Sequence, residues 1–328
     1  MKPIVAILLG DPAGIGPELA AKTAAAGELT TRCRPLVIGS RTVFEEICSS
    51  LSLDVPYTLF DGCRAPEENE ILFADVPLAG ADTVPFGTIG AVCGRQIAEQ
   101  IDCAIALYER GLVNAVCFAP FTKASLKAYL GESIHGEMDY FTEKLHYTGP
   151  CCEINQLDGL YTTRVTSHIP LAEVAAAITE ESILTAVKLL WDTIVSAGNA
   201  APRIAVAALN PHGGENGTCG REELDVVAPA IKKAGELGMP VSGPFPSDTI
   251  FVRAFNRKEF DGVVTLYHDQ GQIAIKLLGF DRGVTIEGGL PCPITTPAHG
   301  SAMDIAGKGV ADTGAFLHAL DCAVSMAR

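Results

Sequence analysis

Short β-branched, apolar runs alternate with stretches of helical periodicity along almost the whole chain, and this alternation limits the fold more than any other feature. Residues 3–9, 36–39 and 115–118 read as buried strands, as do 204–209 and 262–266. Residues 17–26 read as a helix with Pro17 near its first position, where a missing N–H costs nothing. Residues 91–108 space their apolar side chains at helical intervals. Ile183, Leu184, Val187, Leu190, Trp191 and Ile194 form one helix face, and residues 312–326 close the chain as a helix. Such βαβα order predicts α/β layers rather than an all-α or all-β fold.

A chain of 328 residues has room for two domains or one large α/β unit. With 48% apolar and 19% charged residues it can bury a large core, which excludes disorder. Lys and Arg number 24 against 39 Asp and Glu, a net charge of −15 with no basic cluster. That balance argues against nucleic-acid and anionic-membrane partners, and an anionic substrate would need a few local cations or a metal. The eleven cysteines contain no C-x-x-C and read as reduced thiols used as small hydrophobes, which points to the cytoplasm. The apolar opening, MKPIVAILLGDPAG, is too short for a signal peptide or a membrane span. Gly149-Pro150 and the 291–297 stretch mark candidate boundaries, and neither has the composition of a flexible linker.

The first strand runs into Gly10-Asp-Pro-Ala-Gly14-Ile-Gly16-Pro-Glu18. The Rossmann fingerprint fails here, because Leu19 stands where the third glycine belongs and no acidic residue ends a second strand at the right distance. No G-K-[ST] exists for a phosphate-binding P-loop either. Near the other end lies His299-Gly300-Ser301-Ala-Met-Asp304-Ile305-Ala-Gly307-Lys-Gly309. Its glycines let the backbone approach a flat ligand, and His299 can pack against a ring or a ribose. The two segments together resemble the isocitrate/isopropylmalate dehydrogenase group. That resemblance implies NAD(P) bound without a Rossmann domain, on two α/β/α domains, with Gly14, Gly16, His299, Gly300, Ser301, Asp304 and Ile305 at the cofactor.

Three histidines follow strands: His168 in TSHIP, His212 in NPHGGE and His268 in YHDQG. Their separations, 44 and 56 residues, exclude a local zinc motif, but the strand ends of one sheet converge in space. Three imidazoles with an open position suit a catalytic divalent ion. The segments GDPAGIGPE, TSHIPL, LNPHGGENG, PFPSDTIF, YHDQGQIAIKLLGFDRGV and HGSAMDIAGKG occur in this order. Through them the chain resembles the 4-hydroxythreonine-4-phosphate dehydrogenase (PdxA) family over nearly its whole length. The resemblance implies a metal held by His168, His212 and His268, zinc first and magnesium or cobalt as alternatives, with NAD or NADP as hydride acceptor. It also implies a homodimer whose active site draws residues from both subunits. The domains would then interleave, about 1–150 with 290–328 on the cofactor side and about 151–289 on the metal and dimerisation side.

The family's substrate contacts carry over unevenly. Its lysine falls on Lys276 and its histidine on His135, but Gly136 stands where the family has threonine. Thr285 replaces an asparagine, and Ile294 replaces the arginine of G-L-P-F-I-R-T-S. Losing that guanidinium removes charge-assisted anion contacts worth about 1.5–3 kcal/mol each, and Glu287 adds a negative charge in the same stretch. Lys276 is the candidate cation or proton shuttle. Asp269, beside a metal ligand, and Asp248 are candidates to orient an imidazole. The implied chemistry is oxidation of a secondary alcohol β to a carboxylate, followed by decarboxylation of the β-keto acid. The expected substrate is 4-phosphohydroxy-L-threonine or a relative. The alternatives are 4-phosphoerythronate, 4-phosphothreonate or an aromatic-acid cis-dihydrodiol, and, from another class, a three-histidine zinc hydrolase or lyase without nicotinamide.

Overall fold

A computed structural model of the protein describes residues 1–80, 83–131, 134, 136–279 and 281–327. The chain divides into two compact units, Met1–Gly149 with Leu290–Arg328, and Pro150–Gly289. Strands are numbered through the whole chain.

The first unit holds β1 (Ile4–Leu8), β2 (Arg34–Gly39), β3 (Thr58–Leu59), β4 (Leu72–Asp75), β5 (Ala115–Phe118) and β12 (Ile294–Pro297). They lie in the order β3-β4-β2-β1-β5-β12, every pair parallel. Parallel strands are covered on both faces, so β1 reads as an unbroken apolar run, IVAIL, almost all of it inaccessible. Ile97, Ile101 and Ile105 of the helix Ala91–Glu109 pack with Leu8, Ile38, Val116 and Phe118 in the core. The carboxyl ends of β1 and β5 open into the loops at Gly10 and Ala119, which hold each other through the Asp11 N–H and the Pro120 carbonyl (3.2 Å).

The second unit holds β6 (Cys152–Leu157), β7 (Leu160–Arg164), β8 (Ile204–Ala207), β9 (Val241–Phe245), β10 (Gly262–Thr265) and β11 (Val284–Gly288). Their order is β11-β6-β7-β10-β8-β9. The pairs β11–β6 and β6–β7 are antiparallel, whereas β7, β10, β8 and β9 run parallel. The hairpin β6–β7 turns on Asp158 (φ 48°) and Gly159 (φ 87°), the left-handed pair of a two-residue turn. This Asp-Gly between Leu157 and Leu160 is the one local signal for a hairpin that the βαβα reading passes over. Among the described residues no helix is long and apolar enough to cross a membrane.

Five of the eleven cysteines are buried. Burial pushes the Cys33, Cys93 and Cys322 thiols up to about 12, so they stay protonated and unreactive at neutral pH. Cys63 and Cys219 are exposed. Titration of the native protein with a disulfide reagent should therefore show two fast thiols, and the remainder only on unfolding; five or more fast thiols would contradict the packing.

Candidate active site

Three adjacent parallel strands explain why histidines so far apart in sequence can act together. His168, His268 and His212 follow β7, β10 and β8, which are neighbours in that order, so their loops leave the sheet at the same edge. The bases of the loops are tied together. The Thr166 N–H and hydroxyl both donate to the Leu266 carbonyl (3.1 and 2.9 Å), while Gln270 accepts from the Leu266 N–H (2.8 Å) and donates to the Ala208 carbonyl (2.9 Å). The rings of His168 and His268 lie 5.9 Å apart between centroids, inclined by 44°. His268 opens the helix His268–Gly279, and its Nδ1 donates to the Asp269 carboxylate at 2.7 Å. That bond orients the ring and leaves Nε2 as the nitrogen not engaged by Asp269.

His212 lies in the segment Pro211–Gly217, where residues 212 to 216 all have positive φ. Its base is anchored by the buried Glu223, which accepts from the Leu209 and Asn210 N–H groups (2.8 and 2.7 Å). Among the described residues no three His, Cys, Asp or Glu side chains are gathered so as to hold a metal ion. Two imidazoles side by side, one with a carboxylate behind it, fit a divalent ion as a partial donor set within one chain.

Arg164, at the end of β7, locks the His168 loop. Its Nε donates to the Ser167 hydroxyl at 2.8 Å and its Nη2 to Glu153 at 2.6 Å, with only 6% of the side chain exposed. Sequence reasoning missed it, since an arginine at a strand end looks like any surface cation. Lys276 is exposed on the helix that His268 opens. The Thr285 hydroxyl accepts from Asn155 (3.4 Å), whose own oxygen accepts from Gln272 (2.5 Å). Asp248 stands exposed in the helix Ser247–Phe251, with no hydrogen bond to a histidine among the described residues.

The candidate cofactor residues all lie in the first unit. The Ile15 N–H donates to the Ser301 carbonyl (3.0 Å), and the Ser301 hydroxyl donates to Pro120 (3.1 Å) and accepts from Thr122 (3.0 Å). A Cβ on Gly14 would sit 2.9 Å from Ser301 Cβ, and one on Gly16 would sit 2.1 Å from the Leu9 carbonyl oxygen. Both glycines are therefore demanded by close approach of neighbouring residues. Gly300, where a Cβ would meet nothing within 4 Å, stands at an open surface beside half-buried His299. Asp304 is exposed and Ile305 half-buried, which leaves a hydrogen-bonding edge and an apolar face for a nucleoside. Asp11 is fully buried, and burial pushes its carboxyl pKa up; one oxygen accepts from the Ala13 N–H at 3.0 Å.

Glu18 and Lys22 explain why the two glycine-rich segments go together. Fully buried, Glu18 accepts from the Gly309 and Ala311 N–H groups (3.1 and 2.8 Å), while Lys22 donates to the carbonyls of the same two residues (2.8 and 2.9 Å). The two side chains pair at 2.7 Å. The helix that ends GDPAGIGPE thus clamps the tail of HGSAMDIAGKG, a role the sequence could have signalled only through the Glu/Lys spacing of four.

One expectation changes. Ile294 is fully buried in the core of the first unit, so its side chain packs and does not line a binding surface. Glu287, 2% exposed, lies in β11 opposite Glu153. His135 lies outside the described residues; Gly136 next to it is extended and caps the helix Glu137–Lys144, near the Lys123 amine.

Comparison with known proteins decides the family. The model of the pyridoxal phosphate biosynthetic protein PdxA matches residues 31–323. The chain belongs to the PdxA family. A Pseudomonas aeruginosa protein with the provisional name 4-hydroxythreonine-4-phosphate dehydrogenase 2 is 45% identical over 334 residues, covering 99% of this chain and 97% of its own. The D-threonate 4-phosphate dehydrogenase of Cupriavidus necator is 37% identical over 326 residues, covering 97% and 95%. The crystal structure of 4-hydroxythreonine-4-phosphate dehydrogenase from Klebsiella pneumoniae superposes with a TM-score of 0.86 at 32% identity, covering 100% and 98%. This PdxA-family chain is accordingly a dehydrogenase on a mixed α/β fold.

Proposed function

We propose that this enzyme oxidises the secondary alcohol of a small hydroxy acid phosphate, using a nicotinamide coenzyme and a divalent metal, and that the β-keto acid formed loses CO2. The observation that carries the reading is the pairing of His168 with His268 at the carboxyl ends of neighbouring parallel strands, with Asp269 behind the second ring. When bound, a divalent ion would supply a positive centre that lowers the pKa of the substrate hydroxyl, and a nicotinamide coenzyme would supply the hydride acceptor. The chain's own residues do the rest. His168 and His268 present their imidazoles, Asp269 holds the His268 ring, and Arg164 holds the His168 loop through Ser167. Lys276 is the group we assign to take up the hydroxyl proton and to return one to carbon after the C–CO2 bond breaks. Zinc suits the imidazole donors best.

Two ligands in one chain fall short of the three that a catalytic zinc takes. We infer that the site is completed in a homodimer. Ile169 (37% exposed), Leu171 (72%), Ile273 (57%) and Leu277 (83%) flank His168 and follow His268, an apolar surface that a partner subunit would cover. Eleven cysteines with no C-x-x-C pair fit a reducing cytoplasm.

The test is NADH formation by zinc-loaded protein with 4-phosphohydroxythreonine, 4-phosphoerythronate and 4-phosphothreonate side by side. Turnover of at least one, lost on chelation and restored by a divalent ion, is the expected result. Silence on all three, or turnover indifferent to chelation, would overturn the reading.

A further inference from the structure

We propose that Phe86 is a cofactor-binding residue whose exposed ring forms the shelf on which the adenine of the dinucleotide lies. The inference rests on the reading that the two glycine-rich segments hold the coenzyme, and it adds a residue from a third, unrelated segment. The Gly87 N–H donates to the Ala13 carbonyl at 2.8 Å, inside GDPAGIGPE. The adjacent Phe86 ring lies so close to Gly307, inside HGSAMDIAGKG, that a Cβ there would come within 2.4 Å of it. Gly307 also has φ +73°, so both its conformation and the ring above it exclude a side chain. Phe86 therefore stands on the seam where the two segments meet.

The ring is not a core residue. It is 43% exposed, and Ile89 (56%) and Val92 (41%) continue the apolar surface beyond it. A phenyl ring anchored along one edge and open elsewhere loses little further freedom when a flat molecule covers it, and every base offers a π-face to an aromatic shelf. The neighbouring Asp304 is exposed and supplies an acceptor of the kind a ribose hydroxyl needs. An adenine on Phe86 thus brings apolar area, stacking and ribose recognition together on one surface.

The experiment measures binding of ADP and of NADH to the full-length protein by calorimetry, with Phe86→Ala, Phe86→Leu and Phe86→Trp. For Phe86→Ala the Kd for ADP should rise by about 5- to 150-fold, the range found when a stacking aromatic is truncated, and the Kd for NADH should rise by a similar factor. Phe86→Leu keeps most of the volume against Gly307 but has no π-face; it should melt like the parent and still bind ADP more weakly. Phe86→Trp, made in a Trp191→Phe background so that it carries the chain's one tryptophan, should bind ADP and have its emission quenched by it. Unchanged ADP affinity in Phe86→Ala would overturn the proposal, as would a loss confined to NADH, which would put the ring at the nicotinamide end. If the parent protein binds neither ligand, the cofactor reading of the two segments fails first, and the Phe86 assignment with it.

Discussion

Glu18→Ala is expected to unseat the loop at residues 309–311 and to abolish NADH binding while costing about 3–5 kcal/mol of stability, the range for breaking a buried ion pair from one side. The carboxylate is wholly inaccessible and accepts two backbone N–H groups besides pairing with Lys22. Removing it strands both N–H donors and leaves the Lys22 ammonium, 26% exposed, without its counter-charge. The effect reaches the cofactor surface because Gly309 lies two residues from Gly307, which Phe86 covers, and among the described residues the Lys22 amine alone would then hold residues 309 and 311 to the helix Gly16–Ala25 through side-chain bonds. Glu18→Gln, which keeps one acceptor oxygen and gives up the charge, should fall between. Chemical denaturation gives the stability and calorimetry with NADH the binding. A loss under about 1 kcal/mol for the alanine variant, the range of a surface pair, would mean that the clamp is dispensable.

The second large effect is at His268. His268→Ala should lower turnover by three orders of magnitude or more and abolish tight binding of zinc, since it removes the ring that both faces His168 and is oriented by Asp269. Asp269→Asn should lower metal affinity by about 10- to 100-fold, as loss of an orienting carboxylate does, and leave the fold intact because Asp269 is exposed. Substituting cobalt for zinc gives a readout independent of activity, because its visible spectrum reports the ligand set. Loss of the tetrahedral bands in His168→Ala and His268→Ala, and again in His212→Ala, would establish all three as ligands. Full activity in His268→Ala would remove the metal reading altogether.

Some of this was legible in the residues and some was not, and the boundary follows the range of the forces involved. The strands at 4–8, 115–118, 204–207 and 262–265 are visible as apolar runs because parallel strands are buried on both faces. The helix Glu180–Ser196 is visible because its buried side chains recur at helical spacing. β6 and β11 are not, since Cys152-Glu-Ile-Asn-Gln-Leu157 and Val284-Thr-Ile-Glu-Gly288 carry Glu153, Asn155, Thr285 and Glu287 in their interiors. Asn155 bonds Thr285 and Gln272 across more than 100 residues of chain, and Glu153 pairs with Arg164 of the next strand. Ile294 shows the same limit from the other side. Its place in the family's arginine-bearing stretch suggested a binding surface, but which way a strand residue points depends on the sheet it joins, and this one points into the core.

By itself the sequence determined the α/β class, the residue types for a metal and a coenzyme, the turns that only glycine can make, and membership of the PdxA family. These are properties of local pattern and of ordered segments, and they need no knowledge of what lies beside what. Only the tertiary structure decided that His168 meets His268, that Arg164 holds the His168 loop through Ser167, that Glu18 clamps residues 309 and 311, and that Phe86 covers Gly307. Each is a contact between segments whose adjacency is set by strand order. That order comes from burying every apolar face at once, so no local stretch of chain encodes it.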